Sequence, residues 1–229
     1  MNRFAFYGLR RSGNHAILEW LLQNMGGSGN REMVKNRRII HVNNAAYINE
    51  ANSYIDKEEL NQDISNSEKN YEKLIVSYED VPVDFSLFTE GYKKIVVVRN
   101  IENLFASRFK KAQQYKSSIY TGPMRIDQFA VDLWKNHVNA GLNGDAILIQ
   151  FEKWVDSKEY RDQITAQLDT VNYDITDTMT VFGAGSSFSG NVKPTAKELK
   201  SRAKMVHLPE LIKNRIAQPD IIELKKKLG

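Results

Sequence analysis

The sequence predicts an α/β fold of three layers, a parallel sheet flanked by helices, with a helical C-terminal third. Three observations carry that expectation. Short apolar runs rich in β-branched residues, Leu74-Ile75-Val76, Ile95-Val96-Val97-Val98 and Ala146-Ile147-Leu148-Ile149, have the continuous hydrophobicity of strands buried on both faces. Each leads toward a segment of helical periodicity, and such alternation implies parallel pairing through right-handed crossovers. Near the N-terminus a further run, Phe4-Ala5-Phe6-Tyr7, enters a glycine-bounded turn and then an amphipathic helix.

In that first helix Ala16, Ile17, Trp20 and Leu21 recur at helical spacing, and Gly26-Gly27 marks its expected end. Arg38-Ile39-Ile40-His41-Val42 reads as a short strand. Residues 43–70, rich in Asn, Ser, Glu and Lys, read as a surface insertion or lid. Helices are expected at 101–115, 125–140, 195–206 and 209–227, with Pro194, Pro209 and Pro219 at helix starts. Lys225-Lys226-Lys227 complements the negative end of the last helix. No internal repeat interrupts this pattern, and residues 1–229 read as one domain.

An apolar content of 41% over 229 residues suffices for a sizeable core. Lys and Arg exceed Asp and Glu by 32 to 28, an excess that favours anionic ligands locally and argues against a nucleic-acid partner. The chain has no cysteine, which excludes disulfides, thiolate catalysis and sulfur-based zinc sites. No apolar run reaches 18 residues and no leader pattern precedes the first strand, so a cytoplasmic protein with no membrane partner is expected.

The turn Gly8-Leu9-Arg10-Arg11-Ser12-Gly13-Asn14-His15 reads as a phosphate-binding loop. Its glycines have the spacing of the nucleotide-binding pattern G-x-x-x-x-G-K-[ST], so the expected sheet is of the P-loop type. Asn14 and His15 stand where that pattern needs Lys and Ser/Thr. Backbone N–H groups at a helix N-terminus still attract an anion without them. The magnesium site of a nucleotide hydrolase is lost, because the lysine and the metal-binding hydroxyl are both replaced. The cations lie inside the loop instead, as Arg10 and Arg11.

A second anion site is expected at Arg99, where a buried strand ends at the edge at which open α/β sheets bind ligands. Asn100 can cap the following helix, and Asn100, Asn103 and Ser107 then share one polar stripe opposite Leu104, Phe105 and Phe109. Arg99 and Ser107 can thereby reach one anion together.

In this order the segments resemble the sulfotransferases that use 3′-phosphoadenosine 5′-phosphosulfate. Gly8 to His15 is similar to their 5′-phosphosulfate loop, particularly the bacterial version reading R-S-G-N-H, with Arg11 at the position of the usual lysine. Val97-Val98-Arg99-Asn100 with Ser107 resembles the 3′-phosphate motif. Ile147 to Trp154, containing Gln150-Phe151-Glu152, resembles a structural strand-and-acidic-turn segment. Gly183 to Lys193 resembles the late loop over the 3′-phosphate end of the nucleotide, with Ser186 and Ser187 where the cytosolic branch carries cations. Ala16 matches the tryptophan that often stacks on adenine, leaving Phe188 or another aromatic as a substitute.

The resemblance implies sulfuryl transfer to a hydroxyl or amine of a small-molecule or saccharide acceptor, without a metal, leaving adenosine 3′,5′-bisphosphate. It implies that Arg11 stabilises the bridging oxygen and that Arg10, Ser12, Gly13, Asn14 and His15 surround the 5′-phosphosulfate. For the proton-accepting base Glu79 is the first choice, after the strand Leu74-Ile75-Val76, with Asp80 beside it and His41 a rival whose ordinary pKa suits proton transfer near neutrality. His137 and His207 read as core or surface residues. The alternatives are a divergent P-loop kinase or nucleotide hydrolase, which needs magnesium and a lysine, and a non-catalytic nucleotide-binding protein. Acceptor identity and oligomeric state are not written in the sequence.

Overall fold

A computed structural model describes residues 2–24, 37–42, 57–120, 122, 124–170 and 199–229. Five parallel strands, β1 (Asn2–Gly8), β2 (Arg37–Val42), β3 (Lys73–Glu79), β4 (Lys93–Val98) and β5 (Ile147–Gln150), form one sheet in the order β2-β3-β1-β4-β5. The loop strand β1 is therefore central, with Gly8 opposite Glu79 on one side and opposite Val97 on the other. That register brings the C-terminal ends of β1, β3 and β4 to one edge.

Alternation along the strands divides the core into two layers of packing. One sheet face carries Phe4, Phe6, Ile75, Ile95, Val97 and Ile149, packed with residues of α1 (Asn14–Asn24), α5 (Phe151–Asp156) and α6 (Lys158–Gln167). The other carries Ala5, Tyr7, Val76, Tyr78, Val96 and Val98. Against it lie α2 (Lys57–Asn70), α3 (Ile101–Tyr115), α4 (Gln128–Leu142), α7 (Glu210–Ile216) and α8 (Pro219–Leu228). The expected three-layer α/β sandwich with a helical C-terminal region is what forms.

Two expectations are corrected. Residues 57–70 are not a surface insertion: they form α2, which buries Leu60 and Ile64 on the sheet. Two apolar residues one turn apart anchor a helix whose remaining surface is polar. Of the helix read over 195–206, Leu199 and Lys200 are helical and Arg202–Met205 form a 3-10 turn, and 209–227 divides into α7 and α8 at Ala217-Gln218. Pro209 caps α7 and Pro219 opens α8, as expected. Gly26-Gly27, Pro194 and residues 43–56 lie outside the described residues. Among the described residues no helix is long and apolar enough to cross a membrane.

Candidate functional site

The loop between β1 and α1 is built from two close approaches. A Cβ on Gly8 would sit 2.1 Å from the Asn14 side chain, and one on Gly13 would sit 2.1 Å from the Phe151 ring, with Gly13 at φ +94°. Arg11 also occupies the left-handed region, at φ 75°. Ser12 N–H closes the turn onto the Leu9 carbonyl at 3.0 Å, so this amide is spent within the loop. The Ser12 hydroxyl is buried with no hydrogen-bond partner among the described residues.

Two of the predicted residues meet directly: Arg11 Nε donates to Ser107 Oγ at 3.1 Å. A second guanidinium reaches the same oxygen, Arg202 Nη1 at 3.2 Å, from the 3-10 turn. Two accepted bonds occupy both lone pairs of the hydroxyl and leave its O–H to donate. Burial lowers the Arg11 pKa from its ordinary value, partly opposed by Tyr115 and Glu79.

Asn100 caps α3 as expected, its side chain accepting from Asn103 N–H at 3.0 Å. Asn103, one turn on, donates to Lys200 O at 2.8 Å and accepts from Ala203 N–H at 3.0 Å. The polar stripe of α3 is thus what holds Arg202 in place. Arg99 takes a different position from the one its motif suggests. Its side chain is 1% exposed; Nη1 donates to Arg11 O at 2.9 Å and Nη2 to Leu199 O, and Nε lies 3.7 Å from Glu152. The guanidinium stacks 4.7 Å above Phe151, and burial brings its pKa down to about 10 despite the opposing Glu152 charge. In this arrangement Arg99 forms the wall behind the loop.

On the other side of the loop lie acids and imidazoles. Arg10 turns toward carboxylates, its Nε 3.3 Å from Glu79 and 3.6 Å from Asp80. Asn14 donates to Glu79 Oε1 at 2.9 Å and to Leu9 O at 3.2 Å. Asp80, at φ 59°, accepts from Arg10 N–H at 3.0 Å and pairs with the buried Arg108, which also donates to Arg10 O at 3.0 Å. His15 and His41 approach with Nε2 atoms 3.1 Å apart. Burial lowers the His41 pKa, opposed by Glu79 and reinforced by His15 and Arg10. His15, His41 and Glu79 place ligand atoms within 4.8 Å of one another.

The site therefore joins an arginine-rich half at β4-α3 to an acid and imidazole half at the ends of β2 and β3, across the glycine loop. Among solved structures the chain is similar to the sulfotransferase domain from the Synechococcus PCC 7002 olefin synthase. The two share 16% identity at a TM-score of 0.56, over 99% of this chain and 94% of that domain. The chain has a sulfotransferase-domain fold. No protein-family model matches the sequence, and no curated protein matches it.

Within this sulfotransferase-type fold, sequence reasoning missed Arg202 and Arg108. Each is joined to the loop or its partner only through long-range contacts, and neither lies in a local motif. The nearest available signal was the polar stripe of α3, which requires a partner along its length. Glu152 has the structural place expected of it, accepting Asn100 N–H at 3.0 Å. His137 is a core residue bonded to the Val81 carbonyl at 2.8 Å, and burial lowers its pKa to about 4. Ser186, Ser187 and Phe188 lie outside the described residues.

Proposed function

We propose that the chain is a sulfotransferase that moves the sulfuryl group of 3′-phosphoadenosine 5′-phosphosulfate to a hydroxyl or amine of a small-molecule or saccharide acceptor. The observation that carries this reading is the meeting of Arg11 and Arg202 on Ser107 beside a glycine-cradled helix N-terminus. Two cations and a hydroxyl with a free proton suit a phosphate-rich anion. The unpartnered Ser12 hydroxyl and the two glycines, whose absent side chains let the backbone turn tightly, fit the same ligand.

In the transfer, an acceptor oxygen or nitrogen forms a bond to sulfur in line with the breaking bond to the 5′-phosphate oxygen. Arg11 and the first-turn N–H groups of α1 neutralise charge that develops on the departing phosphate. Glu79 or His41 takes the acceptor proton; both flank the loop on the side away from Arg202. The leaving group is already a stable phosphate anion, so these donors can do the work of a metal ion. Arg99 would brace the phosphosulfate loop from behind, through the Arg11 carbonyl that it holds.

Calorimetric titration tests the reading. Adenosine 3′,5′-bisphosphate is expected to bind without magnesium and more tightly than adenosine 5′-phosphate. Arg202→Ala is expected to weaken it about 10–100-fold, the loss of one charge-assisted hydrogen bond. Binding of ATP with magnesium alone would replace this function with that of a kinase or hydrolase.

A further inference from the structure

The last loop position, His15, stands where a P-loop nucleotide hydrolase keeps the hydroxyl that ligates magnesium. Glu79 ends β3, which neighbours the loop strand. The fold adds a third residue, His41 on β2, and the three ligand atoms converge within 4.8 Å. The hard oxygen site is gone, and a softer nitrogen-rich set occupies its place.

We propose that His15, His41 and Glu79 form a binding site for a divalent transition-metal ion of the zinc class. Two imidazoles suit zinc, cobalt, nickel and copper, whereas magnesium prefers carboxylates and water. Nitrogens each about 2.0–2.1 Å from one ion lie ~2.9 Å apart at a right angle and ~3.4 Å apart at the tetrahedral angle. The observed 3.1 Å falls between these limits.

Glu79 closes the set by a side-chain movement toward the histidines of at most about 1.5 Å, the difference between the 4.8 Å within which the three atoms lie and the spacing of a bound pair. Its oxygens already serve Asn14 and Arg10, and each keeps a lone pair for a metal. Arg10 has Asp80 as a second carboxylate, so sharing Glu79 does not strand its charge. With Nε2 of both histidines on the ion, each ring carries its proton on Nδ1. Three protein ligands leave a coordination position for water or a substrate atom.

This inference goes beyond the sulfotransferase reading and stands without it. Its test uses the metal alone, with no nucleotide, so its failure leaves the nucleotide reading standing. Full-length protein stripped with a chelator is titrated with Co²⁺, following visible d–d absorption, and with Zn²⁺ by calorimetry. One equivalent is expected to bind, with a cobalt band and no competition from excess Mg²⁺. In His15→Ala, His41→Ala and Glu79→Ala the loss of affinity should exceed the ~10–100-fold produced by outer-shell changes. His15→Gln and His41→Gln replace any alanine variant whose circular dichroism shows it unfolded. No cobalt band, the result expected of a histidine pair that only shares a proton, would overturn the site. So would stoichiometric zinc binding that is unchanged in both histidine variants.

Discussion

Gly13→Ala concentrates the geometry of the loop into one substitution. At φ +94° an alanine suffers the left-handed penalty of about 1–2 kcal/mol, and its Cβ would lie 2.1 and 2.4 Å from two Phe151 ring atoms, where ordinary contact is 3.4–4 Å. Phe151 cannot swing aside freely: it is 1% exposed, stacked on Trp154 with ring centroids 6.1 Å apart and covered by the Arg99 guanidinium. Overpacking of this kind costs about 1–3 kcal/mol more. The total is about 2–5 kcal/mol, or a fall in Tm of about 4–20 °C for a domain of this size.

Chemical denaturation of Gly13→Ala, Phe151→Ala and the double variant separates the two contributions. The collision is relieved in the double variant and the backbone strain is not, so the costs should fall short of additivity by about 1–3 kcal/mol. A Gly13→Ala protein as stable as the parent, or strict additivity with Phe151→Ala, would refute the account of a loop wedged against α5.

The remaining predictions concern the base, the metal, the wall and the core. Glu79→Ala combined with His41→Ala should abolish sulfuryl transfer while bisphosphate binding persists by calorimetry; retained turnover would place the base elsewhere. Transfer should continue in excess chelator and fall on adding Zn²⁺, which would occupy the lone pairs that accept the proton; a strict metal requirement in the steady-state rate would refute the metal-free step. Arg99→Ala removes a buried cation from beside Glu152 and the donors to the Arg11 and Leu199 carbonyls, and should cost about 3–5 kcal/mol in denaturant unfolding. His137 is neutral when buried, with a pKa of about 4 against 6.5 unfolded. Its contribution is full above pH 6.5, where both states are neutral, and is lost as pH falls toward 4. The loss is roughly 3 kcal/mol, absent from the pH–stability curve of His137→Gln.

The parts of the fold and site that were legible in the sequence are those encoded locally. β-branched runs gave the strands because parallel strands are buried on both faces, and the glycine spacing gave the loop because its turn has no room for side chains. Asn100 declared its cap through residue type and position. α2 was obscured because Leu60 and Ile64 are its only buried apolar residues and the polar residues around them dominate the composition. Arg202 and the His15–His41 contact were invisible for another reason. Each joins residues that no short motif spans, and only the pairing of β2 with β3 and the docking of the 3-10 turn on α3 bring them to the loop. Arg99 is a related case, since its motif fixes its position at the strand end and not the direction its guanidinium takes.

The distance in sequence between Arg11 and Arg202 orders events during synthesis. The last described strand ends at Gln150, so a growing chain can make the five described strands and the glycine loop while the second arginine has yet to be made. Until the 3-10 turn arrives and is gripped by Asn103, Ser107 has one cation instead of two. The growing chain would thus pass through a stage in which the loop and its first cation are made and the second cation is not.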